Sequence, residues 1–125
     1  MKFNDLNLSE QIIRSLLDQN YKEPTPIQVE VIPAILNNTD VMAAAQTGTG
    51  KTAAFVLPIL SKLTHPKNNY KGHQLRALIL TPTRELAVQV RENVNTYSKY
   101  LKTRSTAVYG GARIHNQKLK LRKGV

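Results

Sequence analysis

The sequence predicts an α/β domain, a parallel sheet with helices over both faces, and three observations lead there. Short apolar segments alternate along the chain with amphipathic stretches of about ten residues or more. One apolar segment runs straight into a glycine-rich turn, and that turn opens the next helical stretch. The 125 residues, 41% of them hydrophobic, are enough for one packed core and too few for several. Connections of helical length between strands imply parallel pairing, because a tight hairpin cannot return a strand in the same direction.

The elements follow in order. Ser9 stands where a helix cap belongs, before an apolar face of Ile12, Ile13, Leu16 and Leu17. Thr25-Pro26 reads as a cap followed by proline at the first helical position, opening a helix with Ile27, Val31 and Ile35 on one side. Pro33 is expected to kink or restart it. Asp40 to Ala45 reads as a short buried strand, and Lys51 to Leu63 as a helix with an internal proline, Pro58. Thr64 to Gln74, rich in Asn, His, Gly and Pro, reads as a loop. A strand at Arg76 to Leu80, a helix from about Thr83 to Leu101 and a strand at Ser105 to Tyr109 come next. Gly110-Gly111 is a turn, and a last helix is expected from Arg113 to Lys123, stopped by Gly124. Val125 has the look of the first residue of another strand, so the domain is expected to be incomplete at its C-terminus.

Composition narrows the function. No apolar stretch is long enough to span a membrane, and the opening Met1-Lys2-Phe3-Asn4-Asp5 lacks the apolar block of a secretory signal. There is no cysteine, hence no disulfide, thiolate metal site or cysteine nucleophile. A soluble, cytoplasmic protein is the expectation. The net charge of +10 is unevenly placed: residues 1–60 hold four basic and six acidic side chains, residues 99–125 eight basic and no acidic ones. Such an excess attracts polyanions, nucleic acid first among them, although a solvated basic face satisfies the same count. His65, His73 and His115 lie too far apart in sequence for metal-ligand spacing.

Ala45-Gln46-Thr47-Gly48-Thr49-Gly50-Lys51-Thr52 carries the sharpest chemistry. Gly48 and Gly50 allow backbone angles that turn several N–H groups toward one point, which the positive end of the following helix also faces. Lys51 can reach the outer phosphates of a nucleoside triphosphate, and the Thr52 hydroxyl can hold Mg2+. The general pattern of such a loop has glycine where this chain has Ala45. On these residues alone another phosphate-loop NTPase, or a basic RNA-binding module indifferent to nucleotide, stays open.

Together with its neighbours the loop resembles the DEAD-box family of ATP-dependent RNA helicases. Tyr21-Lys22-Glu23-Pro24-Thr25-Pro26-Ile27-Gln28 is similar to that family's adenine-reading segment, with Phe3 at the upstream aromatic position. The Ala45 to Thr52 stretch matches the family's own phosphate loop, alanine included. Pro82-Thr83-Arg84-Glu85-Leu86-Ala87 is similar to its first RNA-contacting motif, and Gly110-Gly111 to its glycine doublet. The runs at 42–46 and 97–101 look most like the bacterial RhlE-type branch. Asn20 departs from the glycine the family often has before the tyrosine, but asparagine also tolerates a left-handed turn.

The resemblance implies a RecA-like three-layer fold, with an adenine-recognition helical segment over residues 1–38 and a phosphate-loop α/β core over 39–125. It implies ATP and Mg2+ as cofactors, held by Phe3, Tyr21, Gln28, Gln46, Thr47, Gly48, Thr49, Gly50, Lys51 and Thr52, with Lys51 and Thr52 catalytic. The Gln28 carboxamide offers the donor and the acceptor that grip the N6 and N7 edge of adenine, where guanine presents O6 instead. RNA is implied at Pro82, Thr83, Arg84, Glu85, Gly110 and Gly111, through backbone phosphates and so without sequence preference.

The family's Asp-Glu-Ala-Asp segment, Ser-Ala-Thr motif and second RecA-like domain are not among these residues. The chain alone is therefore expected to bind ATP at best, without hydrolysis or unwinding, and to be marginally stable for want of a neighbouring strand.

Overall fold

Ile12 and Leu16 stand one helical turn apart, and burying that pair is the first task of the fold. A computed structural model describes residues 1–65 and 74–125. It places the pair on α1, Glu10–Asp18, with Ile12 0% and Leu16 1% exposed. Leu17, expected on the same face, is 63% exposed, because it stands about 100° further round the helix. A 3-10 turn at Phe3–Leu6 precedes α1 and buries Phe3 and Leu6 beside it.

Helix α2, Pro26–Leu36, begins as its sequence predicts, with Thr25 at the cap and Pro26 in the first turn. Its buried face is Gln28, Val31 and Ile32 rather than Ile27, Val31 and Ile35. The face is turned by its neighbour: α2 lies along α3, Lys51–Leu63, and the side chains pointing there are the ones covered. Pro33 neither restarts nor ends α2, which continues to Leu36. Proline has no N–H to donate to the Val29 carbonyl, a loss that the burial of Val31 and Ile32 within that turn offsets.

Helix α3 is the centre of the core. Its Ala53, Ala54, Val56, Leu57, Pro58 and Leu60 are buried, and it touches α1, α2 and α4. Helix α4, Arg84–Tyr97, starts one residue after its Thr83 cap and stops short of the expected Leu101. The chain turns there: Ser98 N–H donates to the Val94 carbonyl at 2.9 Å and Leu101 N–H to the Ser98 carbonyl at 2.9 Å. The Ser15 hydroxyl of α1 lies 2.7 Å from the Ile12 carbonyl and 3.0 Å from the Tyr97 carbonyl, so its one proton is shared between its own helix and the end of α4. Nearby, Asp18 pairs with Lys99 at 3.0 Å and accepts from the Tyr100 hydroxyl, and Arg14 lies 4.2 Å from the centre of the Tyr100 ring. These bonds hold the Asp18 carboxyl below its usual range, the Tyr100 hydroxyl first among them.

Burial, with Tyr21 beside it, pushes the Tyr97 hydroxyl up to about 12. The folded state thus keeps a proton that the unfolded chain releases near pH 10, so stability is whole below pH 10 and falls as pH rises toward 12. The loss is at most about 2–3 kcal/mol. Urea unfolding at pH 9 and pH 11.5, beside Tyr97→Phe, checks this. A loss that is just as large in the phenylalanine variant would remove Tyr97 as its cause.

Helix α5, Ile114–Arg122, is one residue shorter at each end than expected and buries none of its side chains. It ends at Gly124, whose φ of +93° is a left-handed stop. The segments 40–45, 76–80 and 105–109, expected as strands of a parallel sheet, form no strand among the described residues. A strand exists only through partners, and here Val41, Met42, Leu78, Leu80 and Val108 stand exposed where a sheet would cover them. A cavity of about 560 Å³ lies between α3, α4 and the segments 75–79 and 102–108. The expected loop at 64–74 and His73 fall largely outside the described residues.

Candidate nucleotide and nucleic-acid site

The N-terminus of α3 brings the two nucleotide motifs together. Gly50 caps that helix with φ +83°, a left-handed angle that swings the chain from the loop into the first turn. Its carbonyl accepts from Gln28 Nε2 at 3.2 Å, while Gln28 Oε1 accepts from the Thr25 N–H at 3.0 Å. One buried carboxamide, 6% exposed, therefore joins the start of α2 to the start of α3. A carboxamide has two donors and two acceptor positions. After Thr25 and Gly50 it still has one of each, the pair an adenine edge needs. Thr25 Oγ1 is buried beside it without a hydrogen-bond partner among the described residues.

The loop itself is folded inward. Thr49 Oγ1 donates to the Gln46 carbonyl at 2.6 Å, and Lys51 Nζ donates to the Ala45 carbonyl at 2.5 Å. Gln46, Thr47 and Gly48 are exposed, and Lys51 and Thr52 half-buried. The amine thus sits on a carbonyl that a phosphate oxygen would have to replace, and a charged acceptor makes the stronger bond. Gly48, at φ +79°, has open space around its Cα.

Two aromatic residues of the expected pocket have partners elsewhere in the chain. Tyr21 is 50% exposed and its N–H donates to the Leu16 carbonyl at 3.0 Å. Asn20 before it takes φ +61°, the left-handed turn expected of it. Phe3 is only 5% exposed and packs in the core with Leu6, Ile12 and Ile32.

The second cluster forms at the other motifs. Thr83 Oγ1 caps α4 by accepting from the Leu86 N–H at 3.2 Å, and Pro82, Thr83, Arg84 and Glu85 are exposed. Among the described residues Arg84 forms no ion pair with Glu85. Its guanidinium lies 5.1 Å from the centre of the Tyr109 ring instead. Arg84 Nη1 is also 3.2 Å from where a side chain on Gly111 would begin, and Gly111 has φ +79°. The structure thus places Arg84 against the glycine doublet, 26 and 27 residues on in sequence. Tyr109 and Gln117 are the members that sequence reasoning missed; nothing in their local pattern marks them.

Among the described residues no group of His, Asp or Glu is arranged to hold a metal, and no helix is long and apolar enough to cross a membrane.

The chain is similar to known proteins along almost its whole length. The family model for DEAD/DEAH box helicases matches residues 25–125. The chain is 47% identical over 115 residues to DEAD-box ATP-dependent RNA helicase RhpA of Helicobacter pylori (strain B128), covering 92% of the chain and 22% of that relative. It is 47% identical over 123 residues to ATP-dependent RNA helicase DeaD of Escherichia coli (strain K12), covering 98% and 19%. Among solved structures it is similar to the RNA helicase Prp28 from Chaetomium thermophilum bound to ADP, with TM-score 0.87, 35% identity, and 98% and 30% of the two chains covered. It is also similar to a DEAD box protein from Methanococcus jannaschii, with TM-score 0.78, 39% identity, and 97% and 32% covered. The chain spans about a fifth of the length of the curated relatives it matches. It belongs to the DEAD/DEAH box helicase family.

Proposed function

We propose that the whole protein is an ATP-dependent RNA helicase, and that these residues supply its ATP site and part of its RNA path. The observation that carries the reading is the Gln28 carboxamide bonded to both Thr25 and Gly50, which supports taking the 21–28 and 45–52 segments as one ATP site. Gln28 takes the adenine edge and Tyr21 flanks it. Phe3 is assigned to the face of the base, which asks its buried ring to move outward on binding. The amides of Gln46, Thr47, Gly48, Thr49 and Gly50 and the Lys51 amine take the phosphates, and the Thr52 hydroxyl would hold Mg2+. That ion supplies neutralisation of charge on the outer phosphates. Lys51 and Thr52 are the residues here that touch the reacting end of ATP.

RNA is assigned to Pro82, Thr83, Arg84, Glu85, Gly110 and Gly111 as a phosphate-backbone seat. Residues 1–38 form the adenine-recognition segment, and residues 39–125 belong to a RecA-like α/β core with a parallel sheet. A second RecA-like domain completes the active site, with the protein in the cytoplasm. The 42–46 and 97–101 runs favour the bacterial RhlE-type branch. These 125 residues alone bind ATP at best and do not hydrolyse it, since they contain no Asp-Glu-Ala-Asp segment.

Nucleotide binding with Mg2+ tests the reading, with ATP and GTP compared in the native protein and in Lys51→Ala. ATP is expected to bind, GTP to bind more weakly, and the variant to lose about tenfold or more in ATP affinity. Equal affinity for GTP would overturn the adenine assignment. ATP binding unchanged in Lys51→Ala would overturn the phosphate loop.

A further inference from the structure

A lone extended segment normally satisfies its backbone by pairing with a neighbouring strand. Residues 105–109 have no strand partner among the described residues, yet both backbone groups of Tyr109 are satisfied by one side chain. Gln117 Oε1 accepts from the Tyr109 N–H at 2.9 Å, and Gln117 Nε2 donates to the Tyr109 carbonyl at 3.1 Å. The carboxamide does here what the edge of a strand would do. It comes from the first turns of α5, so it also closes the Gly110-Gly111 turn between Tyr109 and that helix.

What Gln117 holds matters because of what stands on it. The Tyr109 ring lies beneath the Arg84 guanidinium at 5.1 Å. An aromatic ring engages the face of a guanidinium and leaves its in-plane N–H donors free, and those donors are the ones that fork onto a phosphate. Gly111 closes the other side, 3.2 Å from Arg84 Nη1 to the place of a missing side chain. Ring and glycine together restrict a long side chain whose rotamer freedom would otherwise be lost on binding RNA.

We infer that Gln117 is a positioning residue of the RNA seat: its two hydrogen bonds to Tyr109 set the ring and the glycine doublet against which Arg84 presents its donors to phosphate. This rests on the reading of Arg84 as an RNA contact. Glutamine suits the post because it offers a donor and an acceptor at the same reach. Glutamate keeps the acceptor but sets a carboxylate against the Tyr109 carbonyl, and leucine offers neither.

The test measures binding of single-stranded oligouridylate and of ATP by the whole protein and four variants: Arg84→Ala, Gln117→Leu, Gln117→Glu and Arg84→Ala with Gln117→Leu. The isosteric glutamate variant keeps the test open should the leucine variant fold poorly. Each Gln117 variant is expected to weaken RNA binding about tenfold while leaving ATP affinity within about twofold. Adding Gln117→Leu to Arg84→Ala is expected to bring no further loss, since the one acts through the other. Equal losses for RNA and ATP would mean a general packing role and overturn the inference, as would additive losses in the double variant. RNA binding unchanged in both Gln117 variants but weakened in Arg84→Ala would overturn it while sparing the RNA seat. No effect from Arg84→Ala would remove the seat and the inference together.

Discussion

Gly50→Ala is expected to destabilise the fold by about 2–4 kcal/mol and to lower ATP affinity about 100-fold. Two costs combine. At φ +83° an L side chain is strained, and the new Cβ would collide with Gln28 Nε2 and sit 3.3 Å from Gln28 Cδ and Thr25 Oγ1. The Gln28 side chain can swing away, but only by giving up its bonds to the Thr25 N–H and the Gly50 carbonyl. The substitution thus breaks the link between the start of α2 and the start of α3, and with it the proposed ATP site. Gly48→Ala is the control, since Gly48 has a similar φ of +79° and nothing within 4 Å. It should show the backbone strain alone, about 1–2 kcal/mol. Chemical denaturation and nucleotide titration of both variants decide the matter. Two variants that behave alike would mean that contact with Gln28 is not what glycine at position 50 protects.

Leu57→Ala is expected to cost about 3–4 kcal/mol of stability. Leu57 is 0% exposed and lies in the cluster with Ile12, Leu16, Ile32, Val56, Leu60 and Tyr97. It stands on the one helix that meets α1, α2 and α4, so the cavity left behind is walled by several elements that cannot all close upon it. Against a typical domain stability of about 5–15 kcal/mol the loss is large. Urea unfolding of the whole protein measures it, beside Leu119→Ala on α5, where the side chain is 40% exposed and a change below about 1 kcal/mol is expected. A small loss at Leu57 would mean that α3 is not the centre of the core.

The sequence by itself determined the helices and the family. Thr25-Pro26 marks the start of α2 because proline's fixed φ and missing donor suit that position and few others. Gly48 and Gly50 announce left-handed turns because other residues are strained there, and both have them. The motifs at 21–28, 45–52, 82–87 and 110–111 point to the family on their own, since each carries its residues in local order.

Tertiary structure decided which faces are buried and which distant residues meet. Leu17 and Ile35 belong to the expected apolar faces, and the positions of the packed neighbours decide that Leu16 and Ile32 are the ones covered. Arg84 meets Tyr109, Gln117 clamps Tyr109, and Ser15 reaches the end of α4, through contacts spanning 8 to 82 residues that no local pattern encodes. The expected strands show the same limit from the other side. Residues 40–45, 76–80 and 105–109 have the composition of strands, but pairing is a property of neighbours, and the described residues bring none alongside. A helix closes its hydrogen bonds within its own segment and so can be read locally. A strand closes them with another segment, and its formation is settled only where the two meet.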